Sequence, residues 1–409
     1  MERIKFFNQF FTEKSKLRLR LRSRLRKFLP QPSSCLNLLL ASTSALALTF
    51  FLSCASPDLQ PNGDRPSSTI VWPLPPEQPR IAFMRNIAEP KDLGIKKSFF
   101  RKVFEFIVGR EAEPHMIRPY GVFSDGKGKL YVADTGLQAV HIFDFANKKY
   151  QQIFKLPGGR LLSPIGVTSD PSGKIYVSDS VINRVFVYSS KGEFSYVIGK
   201  EGDLQRAAGI AVNPQNDQIY VVDTAGHKVV AYDPTGNKIA EIGHRGGENG
   251  EFNFPTHISI DNNGRLYITD SMNFRVQVLE SDGRFIGKFG KLGNRLGTFS
   301  KPKGIGVDRE GHIYVVDGIY DTVQIFDREG RLLLNFGKSG TGDGNFWLPA
   351  GIFVDGKDHI YIADTYNNRV SEFRYLPQPE EEVTEGKESP TPPSPAGGEG
   401  KREGSKVTQ

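Results

Sequence analysis

One short signature returns six times along the chain. YVADT, YVSDS, YVVDT, YITDS, YVVDG and YIADT set Asp134, Asp179, Asp223, Asp270, Asp317 and Asp364 at intervals of 45, 44, 47, 47 and 47 residues. A repeat of this length marks stacked supersecondary units, each of which buries its apolar faces only against its neighbours. Every unit follows one grammar. A short apolar run, GVFSD in the first and HISID in the fourth, leads through a Gly-containing turn to the Tyr-x-x-Asp segment. A tight connection leads to a third run such as RVFVY or RVQVL, and a second turn to a fourth such as YVIGK. Alternating Val, Ile, Tyr and Phe between Gly, Asn and Asp predict hairpins. Four antiparallel strands per unit, repeated radially, predict an all-β, six-bladed β-propeller over residues 117–376.

The sixth unit is incomplete. After RVSEFRY the chain runs into PQPEEE without a fourth strand, and an open sheet edge invites aggregation. Upstream, PRIAFMRNI (Pro79–Ile87) has strand character and no blade of its own, so it is expected to complete the last blade and close the ring. Between it and the first unit lies KSFFRKVFEFIVG. Ser98 can cap a helix there, with Phe99, Phe100, Val103, Phe104 and Ile107 at helical spacing. Residues 71–116 therefore read as a closing strand plus one short helix, packed over the propeller or acting as a gate or membrane-contacting element.

The overall charge of +7 comes from the N-terminus. Residues 1–53 hold ten of the 53 Lys/Arg and two of the 46 Asp/Glu, so the remainder has a net charge of −1. A nucleic-acid-binding body carries its own positive field, so nucleic acid is not an expected partner. A cationic run (Lys14–Phe28) followed by the uncharged CLNLLLASTSALALTFFLSC reads as a signal peptide over residues 1–53. Its core is also close to the ~20 residues that span a bilayer, which keeps an uncleaved anchor open. FLSC resembles a bacterial lipobox, which implies a lipid on Cys54 and a lipidated tether over 54–70. Either anchor puts the body outside the cytoplasm. By resemblance to enteric lipoproteins, Ala55 in place of Asp implies the outer membrane, facing periplasm or cell surface. Cleavage and lipidation leave no cysteine in the folded body, hence no disulfides and no Cys-ligated metal. Residues 377–409, Pro-, Gly- and charge-rich, read as a disordered tail.

Pro-x-Gly-[IV], then Tyr-[VI]-x-Asp-[TS], then Asn-x-Arg-Val or Asn-Arg-Val resembles the NHL repeat, from about Pro119 to Tyr375. The whole chain is similar to bacterial six-bladed NHL-propeller lipoproteins. Arg184, Arg275 and Arg369 match the family's basic position five residues after the aspartate, and Lys228 substitutes for it. Ala139 and Thr322 depart from it. The resemblance implies the propeller fold but not one function, since the family includes RNA-binding and partner-binding propellers and has lyase relatives.

A group present in all six units serves each unit, so the aspartates are expected to bond loop amides or pair with the basic residue five positions on, not to catalyse. Function is sought where units differ. The connections between second and third strands, and from each fourth strand to the next blade, emerge on one face. They present Leu137, Val181, Ile182, Met272, Phe274, Ile319, Tyr320 and Tyr366, an unusually apolar set for turns and a candidate binding face. Gly-x-Phe-x-x-Pro recurs at Phe252, Phe299 and Phe346 and reads as a structural plug, whereas Trp347 occurs once and joins the binding candidates. His257 starts an innermost strand where the other five units keep glycine, so it should line the channel. His227 and His244 fall on the same face, but a rim His244 and an axial His257 are too far apart to share an ion, so no metal site and no cofactor are expected. His312 and His359 fall in turns of the opposite face and read as surface residues.

These readings predict an envelope-anchored, non-catalytic scaffold that binds a protein, peptide or glycan. The alternative is a metal-dependent lyase or hydrolase with its site in the channel.

Overall fold

The computed structural model describes residues 70–94 and 114–377, all within Arg65–Gln409, the second of two compact units of the chain. The signal peptide, Cys54, the helix expected at Ser98–Ile107 and nearly all of the tail lie outside the described residues.

Among the described residues six blade-forming antiparallel sheets follow one another, five of four strands and one of five, with a two-stranded hairpin, Lys155–Leu156 and Gly159–Arg160, between the first two. This is a six-bladed β-propeller, almost wholly strand. In the fourth blade Pro255–Ile260 is the inner strand, followed outward by Leu266–Asp270, Arg275–Leu279 and Phe285–Phe289. Alternation sends every second side chain into the space between blades. Ile175, Val177, Val140 and Ile142 thus share one apolar cluster between the first two blades, and each such side chain contributes about 1.5–3 kcal/mol when fully buried. The recurring plugs Phe252, Phe299 and Phe346 are completely buried.

The ring closes through the last blade. Ile81–Ile87 pairs antiparallel with Arg369–Tyr375, placing Ile81 opposite Tyr375 and Ile87 opposite Val370. The Arg85 side chain also meets the buried Glu372 carboxylate at 2.6 Å. A further strand, Val71–Trp72, covers the outer edge of Ile81–Ile87. Trp72 packs against Phe336 and Phe373, each with its ring centroid 5.8 Å away. That fifth strand was not expected, because its two residues sit beside a Pro-rich stretch that hides strand character.

Near the axis the inner strands approach backbone to backbone. A Cβ on Gly121 would stand 2.4 Å from the Ile165 carbonyl oxygen of the next blade, and one on Gly351 would stand 2.3 Å from that of Tyr120. In the five blades that carry it, glycine at the third inner-strand position is therefore required by the neighbouring blade. His257 holds this position in the fourth blade. There the Thr269 hydroxyl donates to the Lys303 carbonyl of the next blade at 2.7 Å, with the Thr256 hydroxyl 3.2 Å from the same oxygen.

Candidate functional site

The repeated aspartates form the underside of one face. All six are fully buried. Asp134 accepts the amides of Ile117, Arg118, Gly136 and Leu137 at 2.7–3.0 Å, joining the entry to the inner strand to the turn after the second strand. Asp179 does the same for Leu162, Ser163, Val181 and Ile182. The basic residue five positions on completes this bond set in only two blades. Arg275 and Arg369 reach Asp270 and Asp364 at 2.8 and 2.9 Å. Arg184 donates instead to the Gly199 carbonyl, and Lys228 pairs with Glu241. In the first blade, where Ala139 offers nothing, His141 reaches Asp134 at 3.3 Å from seven residues on, and its other nitrogen meets the Tyr150 hydroxyl at 2.8 Å. Burial pushes the Asp134 carboxyl up, but His141 and the Ile117 and Leu137 amides outweigh it and hold the group below its usual range.

The registers place the turns after these aspartates at the same end of the blades as the starts of the inner strands: Asp270 lies opposite both Pro255 and Arg275. Of the apolar residues at these turns, Val181, Met272, Ile319, Tyr320 and Tyr366 are exposed, as is Trp347 on the neighbouring loop. Trp347 and Tyr366 lie 5.8 Å apart, and the Arg118 guanidinium stands 6.0 Å from the Tyr366 ring. Leu137, Ile182 and Phe274 are half-buried. Ile182 packs on the cluster between the first two blades, and Phe274 on the one between the fourth and fifth. Phe274 occupies the turn position that is left-handed in every blade, with φ values of 51–60° at Gln138, Asn183, His227, Phe274, Asp321 and Asn368.

Two further exposed groups, Ile117 and Leu162, fall in the same repeat position as Trp347. Comparing that position across repeats, instead of noting only its single tryptophan, would have found them. With Trp347 they run across blades six, one and two. Phe254 is exposed one residue further along, in the fourth blade.

The histidines separate by role. His244 is exposed and 3.2 Å from Glu251, at the end of an outer strand. His227 is buried, and its Nδ1 accepts the Phe254 amide at 3.2 Å. On the opposite face His312 and His359 are half-buried with Nδ1 at hydrogen-bond distance from a carboxylate, Asp308 at 2.8 Å and Glu372 at 2.7 Å, and so are more than ordinary surface groups. The Asp308 hydrogen bond, only partly opposed by burial, raises the His312 pKa above its ordinary value.

His257 lines the channel. The channel encloses ≈ 110 Å³ and is walled by Val122, Val167, Ile210, Ile258, Ile305 and Ile352, one from each blade. His257 is half-buried at the end nearest the apolar turns, stacked on Tyr120 with ring centroids 5.6 Å apart. Its Nδ1 is buried without a hydrogen-bond partner. Burial, and next the Lys303 charge, push its pKa down to about 4, so the ring is neutral at pH 7. Among the described residues no three His, Cys, Asp or Glu side chains are grouped as a metal ion would require.

Fold and site together define a repeat propeller whose conserved grammar is structural and whose blade-to-blade differences gather on one face. The comparisons agree on that class. A family model described as 6-bladed beta-propeller matches residues 161–245 and 211–273, and the NHL repeat model matches residues 346–373. Similar solved structures include a Bacteroides thetaiotaomicron protein of unknown function, 16% identical, covering 64% of this chain and 70% of that one, with a TM-score of 0.53. An auxiliary nutrient binding protein from Bacteroides thetaiotaomicron is 16% identical over 64% of this chain and 69% of its own, with a TM-score of 0.51. A streptogramin B lyase is 13% identical over 64% of this chain and 94% of its own, with a TM-score of 0.50. At these identities the likeness establishes the fold alone. No curated protein matches the sequence.

Proposed function

We propose that this protein is an envelope lipoprotein, anchored through Cys54 and sent to the outer membrane, whose propeller is a non-catalytic scaffold for a protein, peptide or glycan. The observation that carries the binding role is the set of exposed Val181, Met272, Ile319, Tyr320, Trp347 and Tyr366 on one face. Large apolar side chains at turn tips are costly to leave in water, and a surface that gathers them is suited to a partner. The anchor rests on the leader sequence. The test of the binding role is a Tyr320→Ala/Trp347→Ala/Tyr366→Ala variant used as bait beside the unchanged protein in crosslinked envelope fractions. Retention of every specific partner by a correctly folded variant would refute it. Palmitate incorporation that survives Cys54→Ala would refute the lipid anchor.

The second reading, a metal-dependent lyase or hydrolase in the channel, is favoured by His257, a neutral imidazole with an unpartnered nitrogen on the channel wall. Metal analysis of the purified protein separates the two: stoichiometric zinc or another divalent ion, lost on His257→Gly, supports the enzyme.

A further inference from the structure

At the channel's end nearest the apolar turns the six inner strands begin, and each blade places two residues there, one on either side of the first inner-strand position. These twelve positions hold four cations, Arg118, Arg206, Lys301 and Lys303, and no carboxylate. None of the four has an ion-pair partner among the described residues. Arg118 lies over the Tyr366 ring, and the Lys301 ammonium approaches the Met272 sulfur at 3.7 Å. Lys303 is half-buried with its ammonium over Gly318, where an added Cβ would stand 3.0 Å from Nζ. The nearby carboxylates are already engaged: Asp317 accepts the Ser300 and Lys301 amides, and Asp321 the Ser339 hydroxyl and the Leu348 amide. Burial, and next the Lys301 charge, lower the Lys303 pKa, with Asp321 and Asp317 opposing.

Lys301 and Lys303 are half-buried with no carboxylate among the described residues at ion-pair distance, Arg118 and Arg206 add exposed positive charge beside them, and an arriving anion would complete the compensation that Asp317 and Asp321 begin. His257, with its unpartnered Nδ1, and Tyr120, stacked on it, lie at the same end of the channel. Beside the mouth stand Trp347 and Tyr366, an exposed aromatic pair that Arg118 links to the charged ring. We propose that the channel mouth is a carboxylate subsite, taking a carboxylate adjacent to an apolar side chain, as a peptide C-terminus carries. This rests on the reading of this face as the binding face and names what it recognises.

The experiment uses the full chain with Trp72→Phe, which leaves Trp347 as the only tryptophan and its fluorescence as the readout. N-acetyl-phenylalanine, its neutral amide, 3-phenylpropionate and inorganic phosphate are titrated in turn. The acid is expected to saturate at least tenfold more tightly than its amide and to weaken as salt rises. Lys303→Met should cost tenfold or more, as should Arg206→Gln, an exposed site chosen in case Lys303→Met disturbs folding. Lys288→Met, on an outer strand, should change nothing. 3-Phenylpropionate matching N-acetyl-phenylalanine assigns the subsite to free organic acids, and a preference for the acetylated amino acid assigns it to peptide termini. Equal binding of acid and amide overturns the carboxylate subsite while leaving the binding face standing. Phosphate binding as tightly as the acid, full affinity in both variants, or no saturable change up to about 10 mM acid also overturns it.

Discussion

Tyr120 and His257 stack within 14° of parallel at the axis, although they belong to the first and fourth blades. Counting round six blades, these two stand opposite, so their rings span the channel mouth. The five other blades keep glycine where His257 stands. The contact therefore needs a tyrosine in one repeat and a histidine in the opposite one.

Acid stability should report this pair. The folded-state pKa of His257, about 4, lies below its ordinary 6.5. The unfolded chain therefore binds the proton first, and stability is lost as pH falls from 6.5 towards 4, by roughly 3 kcal/mol. Denaturant midpoints for His257→Gly should fall less over that interval than those of the unchanged protein. An identical acid slope would show that His257 does not carry the effect.

On the opposite face His312 has the reverse sign. Its pKa is raised by Asp308, so its contribution is complete below 6.5 and is lost as pH rises through the higher folded-state value. The Asp308 carboxyl is held below its usual range: burial acts against this, but the His312 bond outweighs it. The aspartate's share is therefore lost only when pH falls below that range. Thermal melts from pH 6 to 9 should show His312→Asn converging on the unchanged protein at the alkaline end.

The closing strand should be as sensitive as any core strand. Ile81 is completely buried against the cluster that holds Phe336 and Phe373. Ile81→Ala should destabilise the propeller by about 2–5 kcal/mol. The corresponding protease test is native-state cleavage within the paired Ile81–Ile87 and Arg369–Tyr375 strands, which should accelerate as the last blade loosens.

Two arginines from the same repeat position should behave differently. Arg369 donates to Asp364 and to the Thr341, Gly342 and Asn345 carbonyls. Arg184 makes one bond, to Gly199. Arg369→Ala leaves a buried carboxylate and three carbonyls short of donors and should cost about 3 kcal/mol. Arg184→Ala should cost under about 1 kcal/mol, measured by urea unfolding of both.

The repeat, its four strands and the borrowed closing strand were legible because each is written in local alternation and turn residues. The aspartates were legible as structural because all six repeats need them. Contacts set by distant chain segments were not. His141 takes over from the arginine missing at Ala139 only because residues seven apart from an aspartate meet across a hairpin. Phe274 read as a surface tip because a turn sequence does not say which way a left-handed residue sends its ring. The ring of unpaired cations was hidden by a body whose net charge is nearly zero. Its four members lie in the first, third and fifth repeats, and only the closed ring brings them to one opening.

Strand pairing leaves the two ends of the propeller side by side, with the Leu376 amide donating to the Arg80 carbonyl at 2.7 Å. In covalent terms the chain is a line, but in its contacts it is already a circle, cut between the third and fourth strands of one blade. The cut's position is thus a matter of gene order more than of energy. A circular permutant joined across Arg80 and Leu376 and opened at a hairpin such as Ser281–Arg284 keeps all four strands of every blade paired and gives up the Val71–Trp72 edge strand with its Trp72–Phe336 contact. Otherwise it moves only the place where the chain enters the ring.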